Sequence, residues 1–221
     1  MIVAIIAHIL IATQPAMAAA GAPKRVFLWY ADGGKAPETG PPCGDAPPPP
    51  YACEFGRSPR ACARTVQAFL AKWYADFNVV FTLQKPARGP FYTVLITSAG
   101  TAWCGGNHPP GVAGVAPIAD DCRDLGSGVA YAFACGKDAK ACAAVIAQEL
   151  AHLVGLQHTQ SRADVMCPIA LPEIEGFEDR EQQVVAGGSP AKCPTTQNSY
   201  RLMLQRFGPR PAGHRRRISA R

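Results

Sequence analysis

Nine cysteines, at positions 43, 53, 62, 104, 122, 135, 142, 167 and 193, constrain this chain more than any other feature. None forms a C-x-x-C pair, so zinc-finger and thioredoxin-type readings lack support. In an oxidising compartment the set makes up to four disulfides and leaves one thiol over. Short-loop candidates are Cys43 with Cys53, across a proline-rich loop, and Cys135 with Cys142. A Cys167–Cys193 bridge would close a larger loop, worth about 4 kcal/mol on the chain-entropy model. No Cys/His pairing stands out, so the odd cysteine is expected to be buried and inert rather than a nucleophile.

The chain's first residues fit the same compartment. Ile2 to Ile11 is apolar apart from His8, and Ala16-Met17-Ala18 has the small-x-small pattern of a signal-peptidase site. The run is shorter than the roughly 20 residues of a membrane span. Residues 1–18 are therefore expected to be a cleaved leader, and the protein to be secreted or periplasmic. The net charge of +6 does not argue for nucleic acid: seven arginines lie between Arg201 and Arg221 with no acid among them. Without those seven, 15 basic residues face 16 acidic ones. The basicity belongs to a Pro-, Gly- and Arg-rich segment, residues 208–221, that reads as a solvated tail.

Between leader and tail, residues 19–207 read as one domain, expected to be monomeric. Arg25 to Tyr30 is an apolar run closed by Asp32-Gly33-Gly34, as in a buried strand and turn. Residues 36–52 carry seven prolines and cannot form helix or central strand. Ser58-Pro59 then offers an N-cap with proline at the first helical position. Cys62, Val66, Phe69, Leu70, Trp73, Tyr74 and Phe77 follow at helical spacing, which predicts an amphipathic helix over 59–77. Strands are predicted at Val79–Leu83, Phe91–Thr97 and Val129–Ala134, with a weak edge strand at Val115–Ile118. A second helix is expected over about 138–154. Tyr200, Leu202, Met203, Leu204 and Phe207, stopped by Gly208-Pro209, predict a C-terminal helix. This order predicts an α/β or α+β domain.

Gln148 to His158 reads QELAHLVGLQH, and Met166 stands eight residues beyond the last histidine. This resembles the metzincin zinc-peptidase signature H-E-x-x-H-x-x-G-x-x-H with its downstream Met-turn. The preceding elements also look like a metzincin N-terminal subdomain, so the resemblance covers most of residues 25–207. It implies a zincin-like fold: a twisted mixed sheet, two long helices of which one carries the site, a Met-turn and a C-terminal helix. Positions 148 and 152 are four apart and project from one helix face. Gly155 lets the chain leave the helix sharply and bring His158 back. By resemblance, His152 and His158 bind Zn²⁺, Glu149 is the general base acting on water, and Met166 is an apolar floor. The implied activity is that of an endopeptidase with peptide or protein substrates.

Position 148 departs from the signature. A carboxamide oxygen is a weaker zinc donor than an imidazole nitrogen. Three outcomes stay open: Gln148 ligates through its oxygen; His108 or Asp164 supplies the third ligand; or the site holds little zinc and the chain is a silent pseudopeptidase that binds peptides. After the Met-turn come Glu173, Glu175, Glu178, Asp179 and Glu181, in the region that lines the specificity pocket of metzincins. The resemblance implies a preference for basic substrates there, against the plainer reading of solvated loop acids. No metal-capping proenzyme segment is apparent, although Cys43 and Cys53 precede the first helix and spacing alone does not exclude either.

Overall fold

The computed structural model describes residues 21–34, 43, 47–98, 104, 111–133, 135–185 and 192–212. The expected leader, His108 and residues 213–221 lie outside them. A five-stranded sheet has the order β2-β1-β3-β5-β4. Its strands are β1 (Lys24–Tyr30), β2 (Val79–Thr82), β3 (Tyr92–Ile96), β4 (Gly114–Val115) and β5 (Gly128–Ala132). Only β4 runs antiparallel to its neighbour; β1, β2, β3 and β5 are mutually parallel. Helices α1 (Pro59–Trp73) and α2 (Ala139–Leu153) connect parallel strands or follow the sheet, and α3 (Ser199–Phe207) closes the described chain. A two-stranded ribbon, β6 (Gln182–Gln183) and β7 (Thr196–Gln197), lies between α2 and α3 in sequence. The result is a mixed α/β fold with a mostly parallel sheet.

Side-chain alternation explains the apolar runs. Val94, Ile96, Ala130 and Ala132 face the helices in one core, while Leu95, Tyr131 and Phe133 enter a second cluster on the other face. A sheet covered on both sides reads as continuous hydrophobic sequence, as β3 does with all five residues buried. Cys43 and Cys104 belong to the second cluster and form its disulfide.

Both long helices begin as their sequences predict. Ser58 accepts from Ala61 N at 3.2 Å, with Pro59 at the first position, and Asp138 caps α2 by accepting from Ala141 N at 2.6 Å. Helix α1 stops at Trp73, short of the expected residue 77. The cause lies near the C terminus: Arg210 donates to the carbonyls of Tyr74, Ala75 and Val79, while Phe77 bridges to Pro209. The chain is thus drawn into a turn, with a guanidinium satisfying the helix-end carbonyls. The basic segment accordingly starts docked on the body.

The disulfides are Cys43–Cys104, Cys53–Cys62, Cys122–Cys193 and Cys135–Cys142. The Cys135–Cys142 expectation holds. Those for Cys43–Cys53 and Cys167–Cys193 are corrected: Cys53 meets the first turn of α1, Cys193 meets Cys122, and Cys167 is the buried free thiol. With Cys43 and Cys53 both bridged, neither offers a thiol for capping a metal. No described helix is long and apolar enough to cross a membrane.

Candidate metal centre

Helix α2 ends in a way that turns the chain back on itself. Leu156 N donates to Ala151 O and Gly155 N to His152 O, both at 3.0 Å, the paired bonds of a Schellman motif. Gly155 takes the left-handed conformation, φ 93°, that this motif requires at its second step. A Cβ there would also overlap the carbonyl oxygen of Cys122. Arg206 holds this contact together, donating to Val154 O at 2.9 Å and to Cys122 O at 2.8 Å.

The turn returns His158 to the helix. Its Nε2 lies 3.1 Å from Nε2 of His152. His152 Nδ1 is 2.7 Å from the Leu156 carbonyl, which can only accept, so Nδ1 carries the hydrogen and Nε2 presents a lone pair. His158 is anchored by its own carbonyl, which accepts from Val185 N at 2.9 Å. Burial pushes the His152 imidazole down to about 4, with His158 nearby adding to the effect, and burial lowers His158 as well. Both rings are therefore neutral at pH 7, the form that ligates metals.

Glu149 lies on the same helix, 4% exposed, and no described residue hydrogen-bonds its carboxyl group. Burial raises its pKa to about 8. Above it passes β4: a Cβ on Gly114 would stand 2.5 Å from both Cγ and Oε1 of Glu149. The edge strand can cross the carboxyl group only because that position has no side chain. Gln148, Glu149, His152 and His158 all line one cleft of about 750 Å³, between β4 and the chain that follows Met166. Its other walls are largely apolar, with Val115, Val145, Val165, Ile169 and Ile174 among them.

Met166 is fully buried and is not among the residues that line the cleft. Its N–H donates to Asp164 Oδ1 at 2.8 Å, and its carbonyl accepts from Thr159 N at 2.9 Å. Asp164, a candidate third ligand by sequence, is corrected to a structural role. Its fully buried carboxylate accepts from Gln182 Nε2 at 2.6 Å and Glu178 N at 3.3 Å as well as from Met166 N. Gln148 spends its amide nitrogen on backbone carbonyls, donating to Val165 O at 3.2 Å and to Cys167 O.

The post-turn acids are engaged elsewhere. Glu173 pairs with Arg162, Glu175 with Lys72 and Lys140, Glu178 with Arg180, and Asp179 with Arg201. None of these, nor Glu181, is among the described residues of the cleft wall. Solvated loop acids is the reading that fits, and the basic-substrate expectation finds none of these five acids among the described residues of the cleft wall.

Zinc–nitrogen bonds of about 2.0–2.1 Å meeting at a tetrahedral angle put two donors about 3.3 Å apart. The 3.1 Å pair of Nε2 atoms, one held in its tautomer by a carbonyl, is a fit for two such donors. Among the described residues no group of three His, Cys, Asp or Glu side chains is placed to hold a metal ion. No protein-family model matches the chain, and no curated protein matches its sequence.

Two contributors escape sequence reasoning. Gly114 looks like any loop glycine in a Gly- and Pro-rich stretch, and Arg206 like one arginine of a basic C terminus. Only their positions over Glu149 and Cys122 reveal their use.

Proposed function

We propose that the protein is an exported, metzincin-like zinc endopeptidase in which His152 and His158 hold the ion and Glu149 is the general base. The observation that carries this reading is the 3.1 Å approach of the two Nε2 atoms in the same cleft as Glu149. Zinc, when bound, acts as a Lewis acid on a peptide carbonyl and lowers the pKa of water. The chain's own residues do the rest. Glu149, which lines the same cleft as the two imidazoles, would take a proton from the attacking water and deliver it to the leaving amine. Its place under β4 keeps bulk water from the carboxyl group. Strand β4 ends the sheet, so its outer edge offers backbone groups to an extended peptide. The apolar walls around Val145 and Ile174 favour an apolar substrate side chain. The leader pattern and four disulfides support export to a secreted or periplasmic location.

One observation favours a second reading, a silent peptide-binding protein on the same scaffold: the described residues bring only two histidines together, and the Gln148 nitrogen is spent on the Met-turn. Metal analysis of the purified mature protein, beside peptide cleavage by wild type and Glu149→Ala, separates the two. Stoichiometric zinc with cleavage abolished by Glu149→Ala is the expected result. Peptide binding without zinc and without cleavage would establish the silent reading.

A further inference from the structure

We infer that Gln148 is a positioning residue that clamps the Met166 turn to α2 through its amide nitrogen, and that it is not a ligand of the metal centre. The second half rests on the two-histidine reading above; the first half stands without it.

The two hydrogens of Gln148 Nε2 meet two acceptors, the carbonyls of Val165 and Cys167. These carbonyls flank Met166. The turn's other polar groups already have partners, Met166 N on Asp164 and Met166 O on Thr159. Among the described residues no other donor reaches the Val165 and Cys167 oxygens. Leaving two carbonyls unpaired in a part-buried cleft wall is costly, so the amide at 148 completes the turn.

Donor chemistry explains the residue type. Both acceptors are carbonyls, so the amide can face them only with its NH₂ group. A ligating histidine has one remaining N–H and could satisfy one carbonyl at most, and a carboxylate could satisfy neither. Glutamine at 148 therefore trades a metal donor for a double tie to the floor of the cleft. The centre that results has two protein nitrogens, with Gln148 setting the position of the wall beside them.

Cys167 supplies the reporter. It is the one free cysteine, 5% exposed, and its carbonyl is one of the two acceptors. Iodoacetamide labelling of the full, disulfide-bonded protein in excess chelator reads opening of this turn with no metal present. Gln148→Leu, which has neither donors nor oxygen, should raise the labelling rate about tenfold, the scale on which losing two net hydrogen bonds shifts a local opening. Gln148→Lys, which keeps a donor and loses the amide oxygen, should restore slow labelling to within about threefold of wild type. Titration with zinc should give Gln148→Leu an affinity within about threefold of wild type.

Labelling of Gln148→Leu at the wild-type rate overturns the clamp. A tenfold or greater loss of zinc affinity in Gln148→Leu, with labelling unchanged, makes Gln148 a ligand instead. If wild type and variant both ignore zinc, the metal-centre reading fails, while labelling still decides the clamp. Should Gln148→Leu not form its disulfides, hydrogen exchange of residues 163–168 in Gln148→Met gives the same decision: faster exchange supports the clamp and unchanged exchange overturns it.

Discussion

Gly155 and Cys122 touch so closely that the carbonyl oxygen of Cys122 occupies the space a side chain at 155 would need. Two requirements meet at this glycine, a left-handed backbone with φ 93° and backbone-to-backbone contact. Ala can be strained into the first but not fitted into the second. Gly155→Ala is therefore expected to cost about 3 kcal/mol or more. It should also move His158 away from His152, since the turn is what returns the second imidazole. Denaturant unfolding checks the first effect and zinc titration the second. A variant within about 0.5 kcal/mol of wild type would show that the Cys122 loop yields readily.

A second glycine makes a contact of a different kind. At Gly114 the obstacle is a side chain: Cγ and Oε1 of Glu149 would both lie 2.5 Å from a methyl group at this position. Gly114→Ala alone should destabilise by about 2 kcal/mol through overpacking. In a Glu149→Asp background, with the carboxyl group drawn back by one methylene, the same change should cost less than about 1 kcal/mol. Thermal unfolding of the four proteins in this double-mutant cycle gives the coupling directly. Equal costs in both backgrounds would mean that β4 does not rest on Glu149.

Much of this arrangement is written locally, and the remainder is not. Ser58-Pro59 and Asp138 announce helix starts because a cap acts within one turn. His152, Gly155 and His158 can be related by spacing, since the helix and its exit turn bring the two imidazoles together, whereas Glu149 and Met166 are singled out only by the resemblance. The disulfides are not legible in the same way. Cys43 and Cys104 are 61 residues apart, and Cys122 and Cys193 are 71 apart; each pair is brought together by the tertiary fold and not by local sequence. The bonds of Gln148 are hidden for another reason: its partners are backbone carbonyls, which every residue possesses, so no side-chain pattern points to them. The end of α1 is unreadable for the same cause as the disulfides, because the arginine that satisfies its last carbonyls comes from position 210.

Asp164 ties the turn at Met166 to the part of the fold built from β6 and the loop before it. Its described partners all donate to it: N–H groups of Met166, Glu178 and Gln182, and the side chain of Ser199. Asparagine has almost the same shape but brings an NH₂ that must face at least one of those donors. Asp164→Asn is expected to lose about 2 kcal/mol, most of it from that donor–donor clash. Urea unfolding is the measurement. A neutral outcome would mean that the carboxylate's charge is not what these donors require.

Glu149 and His152 give the metal-free protein opposite responses to pH. Burial holds Glu149 at about 8 against an ordinary value of 4.5, so between those limits the folded state binds a proton that the unfolded state has released. Its contribution to stability is present below about 4.5 and falls as pH rises towards 8, by about 1.4 kcal/mol per pH unit over that window. His152, held at about 4 against 6.5, works the other way: its contribution is present above 6.5 and falls as pH drops towards 4. Between about 4.5 and 6.5 the Glu149 slope opposes that of His152, to which His158, also lowered by burial, adds; chelator-treated wild type should lose stability from 6.5 to 8. Glu149→Gln removes only the first response. It should be more stable than wild type at about pH 8 by a clearly larger margin than at about pH 5, and its stability should rise with pH between about 5 and 6.5. Calorimetric unfolding across this range in excess chelator measures both. A margin that stays constant with pH would show that Glu149 ionises in the fold as an ordinary surface carboxyl group does.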